Sequence, residues 1–211
     1  MRKALAIAAV AGLAGAASAQ TMYIHADVTS ATASDTITWT VSITGLSLQT
    51  IGGTTIGGDY LQSYDLNFVA SDNTLGDAST FSPFAGTVNP TNGTASGADI
   101  NGVSGGQSSI LGGVKYGNLV LGTFTVHANA ANGSLSYGVS DGGVFAQADH
   151  LIVKNYDFFA GAGEPNGDFG DDVFQGAPQV VSDTVRIGAV PTPASAALLG
   201  LGGLVAVRRR R

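Results

Sequence analysis

Apolar and polar residues alternate with a period close to two through most of the chain after Gln20. From Thr36 to Ile43 every odd position is apolar and every even position carries a small hydroxyl side chain. Successive side chains of a strand point to opposite faces, so this segment predicts a strand with Trp39 on its buried face. The same pattern predicts six further strands, at 23–28, 64–69, 119–127, 135–139, 151–159 and 180–187.

Clusters of Gly, Asn, Asp and Ser separate these segments, among them 52–58 and 129–134. Such clusters are typical of turns and loops. The glycine-rich segment 87–113 has few apolar residues, which predicts a long surface loop or an irregular edge hairpin. Short alternating strands with these connections predict an all-β fold, an antiparallel β-sandwich.

The composition supports a β-rich exported domain more than it supports a nucleic-acid binder. Within 20–189 the only basic residues are Lys115, Lys154 and Arg186 against all 15 acidic residues, a formal charge of −12. Phosphate binding needs clustered Lys and Arg, so nucleic acid is not an expected partner. The absence of cysteine excludes disulfides and zinc-thiolate sites.

The N-terminus has the layout of a secretory signal peptide. Its parts are a basic start at Arg2 and Lys3, an apolar stretch at 4–14, and a small-residue cleavage site at Ala17 and Ala19 before Gln20. Signal peptidase requires small side chains at this site. We therefore expect the secretion machinery to remove 1–19 and to leave an extracytoplasmic β-sandwich domain at 20–189.

The C-terminus combines an apolar segment with a basic end. Residues 194–207 carry no charge and are followed by Arg208, Arg209, Arg210 and Arg211. At about 1.5 Å per residue, a helix of this length covers roughly 21 Å of the roughly 30 Å hydrocarbon core. Clustered arginine stays on the cytoplasmic side, so we expect an inner-membrane helix with the domain outside.

The residues just before this helix are Val190, Pro191, Thr192 and Pro193. With the signal peptide, the apolar helix and the arginine cluster, they resemble the PEP-CTERM family of bacterial exported proteins. The resemblance implies that 190–211 is a sorting signal cut by an exosortase, and that the protein is associated with exopolysaccharide, biofilm and the cell surface. The family's Pro-Glu-Pro is Pro-Thr-Pro here, and a plain membrane anchor is the alternative.

One acidic run has the composition of a calcium-binding loop. Its oxygen-bearing residues are Glu164, Asn166, Asp168, Asp171 and Asp172. Calcium takes six to eight oxygen ligands from flexible loops, so these residues predict a structural calcium site, with a solvated acidic loop as the alternative. Phe169 and Gln175 stand where an EF-hand requires Gly and Glu. We expect no other cofactor.

A catalytic site is not expected. The run Gly102-Val103-Ser104-Gly105-Gly106 matches a hydrolase motif in letters, but no helical pattern follows it. The three histidines, His25, His127 and His150, have no spacing that places two of them on one face. The sequence therefore favours a protein that is not an enzyme.

The segments 64–69, 122–126 and 136–141 are similar in rhythm to cohesin-like and carbohydrate-binding sandwiches. The sandwich is therefore expected to be cohesin-like or jelly-roll-like. The favoured function is an exported structural or adhesive protein, the alternative is a carbohydrate-binding or cohesin-like module, and a secreted hydrolase comes third. Sugar binding would require exposed rings among Trp39, Tyr60, Tyr64, Tyr116 and Tyr137.

Overall fold

The computed structural model describes residues 20–107, 114–143, 151–157 and 168–188. These residues form strands and no helix, and therefore no helix that could cross a membrane. The strands are β1 (Thr21–Ala26), β2 (Ser30–Ala31), β3 (Thr36–Thr44), β4 (Leu48–Ile51), β5 (Thr54–Ala70), β6 (Gly76–Ala78), β7 (Ser82–Pro83), β8 (Val88–Ser96), β9 (Asp99–Gly106), β10 (Leu119–Ala128), β11 (Gly133–Leu135), β12 (Tyr137–Asp141), β13 (Leu151–Asp157), β14 (Asp168–Gly176), β15 (Gln179–Ser182) and β16 (Val185–Ile187).

The first sheet has the strand order β15-β1-β3-β10-β6, and β7 also pairs with β10. Its central strand is the alternating segment that the sequence predicted, and Ile37, Trp39, Val41 and Ile43 are all fully buried. The prediction of a strand with one face in the core is therefore confirmed for β3.

The second sheet has the order β14-β13-β5-β9-β8, with β4 and β12 also paired to β5. Strand β5 is 17 residues long and joins β4 through Gly52 and Gly53, whose φ angles are 56° and 83°. This conformation suits a two-residue hairpin turn. The turn predicted within 52–58 is therefore correct at its start, whereas 54–58 is strand.

A third, small sheet of β11, β16 and β2 lies at one end of the fold. The segment predicted as one strand at 180–187 is two strands, because the chain leaves β15 at Asp183 and enters β16 in this small sheet. β15 runs parallel to β1, and β16 runs parallel to β2. The other pairings in the described part are antiparallel, so the prediction of an antiparallel sandwich holds except at these two pairs of strands.

The core lies between the two large sheets and is rich in aromatic side chains. Trp39 packs edge-on to Tyr137 at 4.9 Å between ring centroids, and Tyr137 packs edge-on to Phe124 at 5.0 Å. Phe68 of the second sheet stacks on Phe124 of the first at 5.4 Å. These contacts across the layers, within one continuous buried cluster, confirm the β-sandwich.

Segment 87–113 is not a long loop in its described part. Strands β8 and β9 form an antiparallel hairpin at the edge of the second sheet, which is the alternative that the sequence left open. Ile100 and Val103 of β9 are fully buried. These inward-pointing apolar residues pack the glycine-rich hairpin against the core.

Several sequence predictions lie outside the described residues. These are the signal peptide with Ala17 and Ala19, the sorting segment 190–211, and Glu164 and Asn166 of the calcium run. Gln20 is described; it is buried, and its carbonyl accepts a hydrogen bond from the Gln179 amide. Asp168, Asp171 and Asp172 belong to β14, so this part of the acidic run is strand and not the loop expected for it.

Candidate binding face

The water-facing side of the first sheet, called the outer face below, is formed by the residues that alternate with the buried ones. It includes Tyr23 and His25 of β1, Val181 of β15, and Val120 of β10. The even-numbered residues of β3 lie between them, from Thr36 to Thr44. Because one side of each strand is used by the core, the sequence pattern itself assigns these side chains to water.

Three large apolar side chains lie in one row across the outer face. Val181 pairs in register with Tyr23, Tyr23 with Ser42, and Ser42 with Val120. Their exposed fractions are 42% for Val181, 42% for Tyr23 and 48% for Val120. At about 4.8 Å between neighbouring strands, this apolar row spans roughly 14 Å.

Hydroxyl side chains surround the apolar row. Thr40 pairs with His25 on one side and with Thr123 on the other, and Thr38 pairs with Thr125 in the next row. The outer face therefore offers an apolar row on a background of small hydroxyl side chains.

A cleft of about 650 Å³ opens at the end of β1, next to the apolar row, and is lined by residues 25–30 with Asp183 and Thr184. The Asp183 carboxylate lies 2.5 Å from Nδ1 of His25 and accepts the Ala26 amide at 3.1 Å. The Asp27 carboxylate accepts the Thr38 amide at 2.9 Å. These contacts fix two carboxylates at the mouth of the cleft.

The residues of the third candidate function, hydrolysis, do not come together in the described part. Ser104 lies within β9 and pairs in register with Asp65 of β5, and both side chains are buried. His25 and His127 are in the first sheet, on its outer face. Because Ser104 is not on a strand-to-helix turn, it has no nucleophile-elbow geometry.

The aromatic side chains do not form a sugar-binding platform in the described part. Trp39, Tyr60, Tyr64 and Tyr137 are buried, which confirms the sequence expectation for Trp39. Tyr116 is half-buried and packs edge-on to Tyr60 at 6.2 Å. The exposed ring on the outer face is Tyr23, which the sequence reasoning missed although it alternates with the apolar Met22 and Ile24.

Among the side chains that the structure describes, which exclude those of 155–157 and 168–173, no three His, Asp or Glu lie close enough to share a metal ion. The predicted calcium ligands Asp168, Asp171 and Asp172 follow one another along β14. With Glu164 and Asn166 outside the described residues, the calcium site stays a prediction.

No protein-family model and no curated protein matches this chain. Among solved structures, it is similar to the seventh ScaB type I cohesin from Pseudobacteroides cellulosolvens, with 8% identity, a TM-score of 0.49, and coverage of 81% of this chain and 95% of that one. A type I cohesin–dockerin complex from Clostridium thermocellum gives 14% identity, a TM-score of 0.47, and coverage of 79% of this chain and 99% of that one. A non-cellulosomal cohesin from Archaeoglobus fulgidus gives 15% identity, a TM-score of 0.40, and coverage of 84% of this chain and 97% of that one. These values are too low to carry a function from one protein to another.

Proposed function

We propose that this chain is an exported, non-catalytic binding module, a cohesin-like sandwich that holds a protein partner against its outer face. The supporting observation is the apolar row formed by Val181, Tyr23 and Val120. Exposed apolar side chains grouped on one face and rimmed by polar residues are typical of protein interaction sites, because a partner removes them from water. The hydroxyl side chains around the row supply such a rim.

A protein partner fits the outer face better than a polysaccharide does. Sugars bind flat aromatic rings, and Tyr23 is a single ring beside Val181, with Ser42 between it and Val120. Valine offers apolar area without a ring face, which suits the side chains of another protein. The cohesin of one similar structure is bound to a dockerin; that describes those two proteins, and the outer face alone supports the present proposal.

The second candidate is the structural or adhesive role in which the protein associates with exopolysaccharide. Its support is the resemblance of 190–211 to a PEP-CTERM signal, which includes Pro191, Pro193 and the terminal arginines. With a signal peptide at 1–19, that resemblance gives a route to the cell surface. The resemblance concerns where the protein is delivered and not what it binds, so it is compatible with a binding module delivered to the cell surface.

Site-specific photo-crosslinking in the native host tests the protein-binding function. A photo-reactive amino acid is placed in the full chain at Val120 or, as a matched control, at Val69, which is exposed to a similar extent on the second sheet. We expect a discrete protein adduct from position 120 and none from position 69. Equal adducts from both positions, or crosslinking of position 120 to polysaccharide alone, would contradict the proposal.

A further inference from the structure

We propose that the partner is a basic protein segment, in which a Lys or Arg side chain enters the cleft at Asp27 and Asp183 while neighbouring apolar residues cover the row around Tyr23. This inference rests on the proposed function and adds the chemistry of the partner. It depends on two features of the outer face that lie side by side, the apolar row and the acidic cleft.

The apolar row and the cleft are continuous. His25, which lines the cleft, is the next outward residue after Tyr23 on β1 and is about 7 Å further along the strand. Asp183 follows β15 directly, and its amide donates to the Ile24 carbonyl, so the carboxylate remains close to the end of β1. One extended segment of a partner can therefore contact Tyr23 and reach Asp183.

The charges of the outer face are those of a receptor for a cation. Asp27 and Asp183 lie at the cleft, and Asp77 pairs in register with His127 at the far end of the face. An ionised carboxylate has about four acceptor positions. Oδ2 of Asp183 accepts the Ala26 amide and also contacts Nδ1 of His25, and Oδ1 of Asp27 accepts the Thr38 amide. The other oxygen of each carboxylate is the acceptor for a partner's ammonium or guanidinium group.

The basic residues of the described part lie elsewhere. Lys115 sits over the Phe84 ring at 5.1 Å, and Lys154 belongs to β13 of the second sheet. Arg186 is in the third sheet, in register with Ser30, which lines the cleft, so Arg186 lies beside the cleft without lining it. The described outer face itself therefore carries no Lys or Arg, and its basic groups are the imidazoles of His25 and His127.

The same charges argue against two other occupants. A second copy of this chain would bring a domain with 15 acidic and three basic residues within 20–189 against an acidic face. An anionic polymer would meet the same repulsion. A basic partner instead gains from electrostatic complementarity, which raises the association rate and selects against acidic competitors.

Binding of defined peptides to the full chain tests this inference. The probes are three labelled ten-residue peptides, alternating Leu and Lys, alternating Leu and Glu, and alternating Ser and Lys, measured by fluorescence anisotropy with every variant in the same detergent. We expect the Leu/Lys peptide to bind at least about tenfold more tightly than either of the others, since it alone matches both charge and apolar area. Equal binding of the Leu/Glu or the Ser/Lys peptide would overturn the inference.

Variants locate the binding on the outer face. Asp27→Asn with Asp183→Asn is expected to weaken Leu/Lys binding about tenfold and to flatten its salt dependence. Tyr23→Ser with Val120→Ser, two exposed positions whose change leaves the core intact, is expected to weaken it about fivefold. Asp72→Asn with Asp141→Asn is the matched control, because these carboxylates also accept backbone amides but lie away from the outer face.

The outcomes separate this inference from the proposed function. An equal loss in the control and in the Asp27 and Asp183 variant would mean non-specific attraction and would overturn the partner chemistry. If position 120 crosslinks to a protein whose binding is unchanged by Asp27→Asn with Asp183→Asn, the binding function stands and the proposal of a basic partner is wrong. If position 120 yields no protein adduct, the function itself fails.

Discussion

At the scale of single residues, the clearest consequence of the fold is the burial of tyrosine hydroxyl groups. Burial in the core raises the pKa of Tyr64 to about 12, although the nearby Thr87 hydroxyl opposes the shift. Burial also raises the pKa of Tyr137, whose hydroxyl donates to the Ala98 carbonyl at 2.8 Å, and the Asp99 carboxylate adds to this increase. Both hydroxyl groups therefore keep their protons to a higher pH in the folded protein than in the unfolded chain.

The raised pKa of Tyr64 predicts a loss of stability at high pH. Below the ordinary tyrosine pKa of 10 the stabilising contribution of Tyr64 is fully present. As pH rises from 10 toward 12, the unfolded chain ionises first, and this residue alone lowers the free energy of unfolding by about 2 kcal/mol. Tyr64→Phe should remove this decrease and leave the further decrease caused by Tyr137. Urea unfolding at pH 9, 10.5 and 11.5 measures the free energy of unfolding at each pH.

The control for this prediction is Tyr23→Phe, because the Tyr23 ring is exposed on the outer face. Its curve of stability against pH should match that of the unchanged protein. A Tyr64→Phe curve that also matches the unchanged protein would show that burial of the Tyr64 hydroxyl has no such effect.

Residue burial was predictable where the pattern is regular and not where a polar group is enclosed. Alternation along β3 places Trp39 in the core, and its side chain is fully buried. Gln107 lies in no alternating pattern that would predict its burial. Its buried side chain nevertheless donates through Nε2 to the carbonyls of Leu61 and Lys115, and its Oε1 accepts the Lys115 amide at 2.6 Å. The partners of an enclosed amide depend on distant strands, which a local pattern does not contain.

At the scale of elements, a close crossing of strands makes a second prediction. At Gly122 the register of β10 with β3 shifts, and β7 pairs with β10 at the same point. A Cβ at position 122 would lie 2.3 Å from the Ser82 carbonyl oxygen and 2.5 Å from the Phe81 ring. The backbone oxygen cannot move without displacing β7.

Gly122→Ala should therefore lower the free energy of unfolding by about 1–3 kcal/mol, the usual range for overpacking a core. Gly138→Ala is the matched control, since a Cβ there meets no atom within 4 Å and β12 is also a strand. Urea unfolding of both variants measures the difference. Equal stabilities of the two variants would show that β7 moves aside without loss.

Two strands that the sequence missed wholly or in part, β5 and β9, lack a regular alternation of apolar and polar residues. Residues 57–61 of β5 are all buried, so both faces of this strand are enclosed and no alternation of apolar and polar residues is needed. The predicted strand 64–69 covers only the end of β5. Strand β9 is rich in glycine, which the sequence reasoning assigned to turns and loops. Period-two alternation finds strands with one face in water, and it found β1, β3 and β10 for that reason.

At the scale of the whole molecule, the fold class was predictable and the candidate site was not. Several alternating segments were enough for a sandwich, because each needs a second layer to cover its apolar face. The apolar row requires knowing that β15, β1, β3 and β10 are neighbours and in which register. Val181, Tyr23 and Val120 are far apart along the chain, so only the strand order brings them into one surface.

The final prediction concerns how the molecule is delivered. In the native host, the mature chain should begin at Gln20, end near Val190 and be found at the cell surface or in the medium, because a PEP-CTERM-like signal is removed after export. Intact-mass measurement of each cell fraction checks this. A chain that keeps Arg208 to Arg211 in the inner membrane would make the segment a plain anchor.

The arginine cluster supplies a variant for the same experiment. Replacing all four arginines by Ser should reduce retention at the inner membrane before processing, since positive charge resists translocation. Arg186→Ser is the control, because Arg186 is an exposed arginine within the folded domain, before the apolar segment 194–207. If the arginine-free chain is retained and processed like the control, the apolar segment 194–207 is sufficient alone and the arginines are not the topological stop.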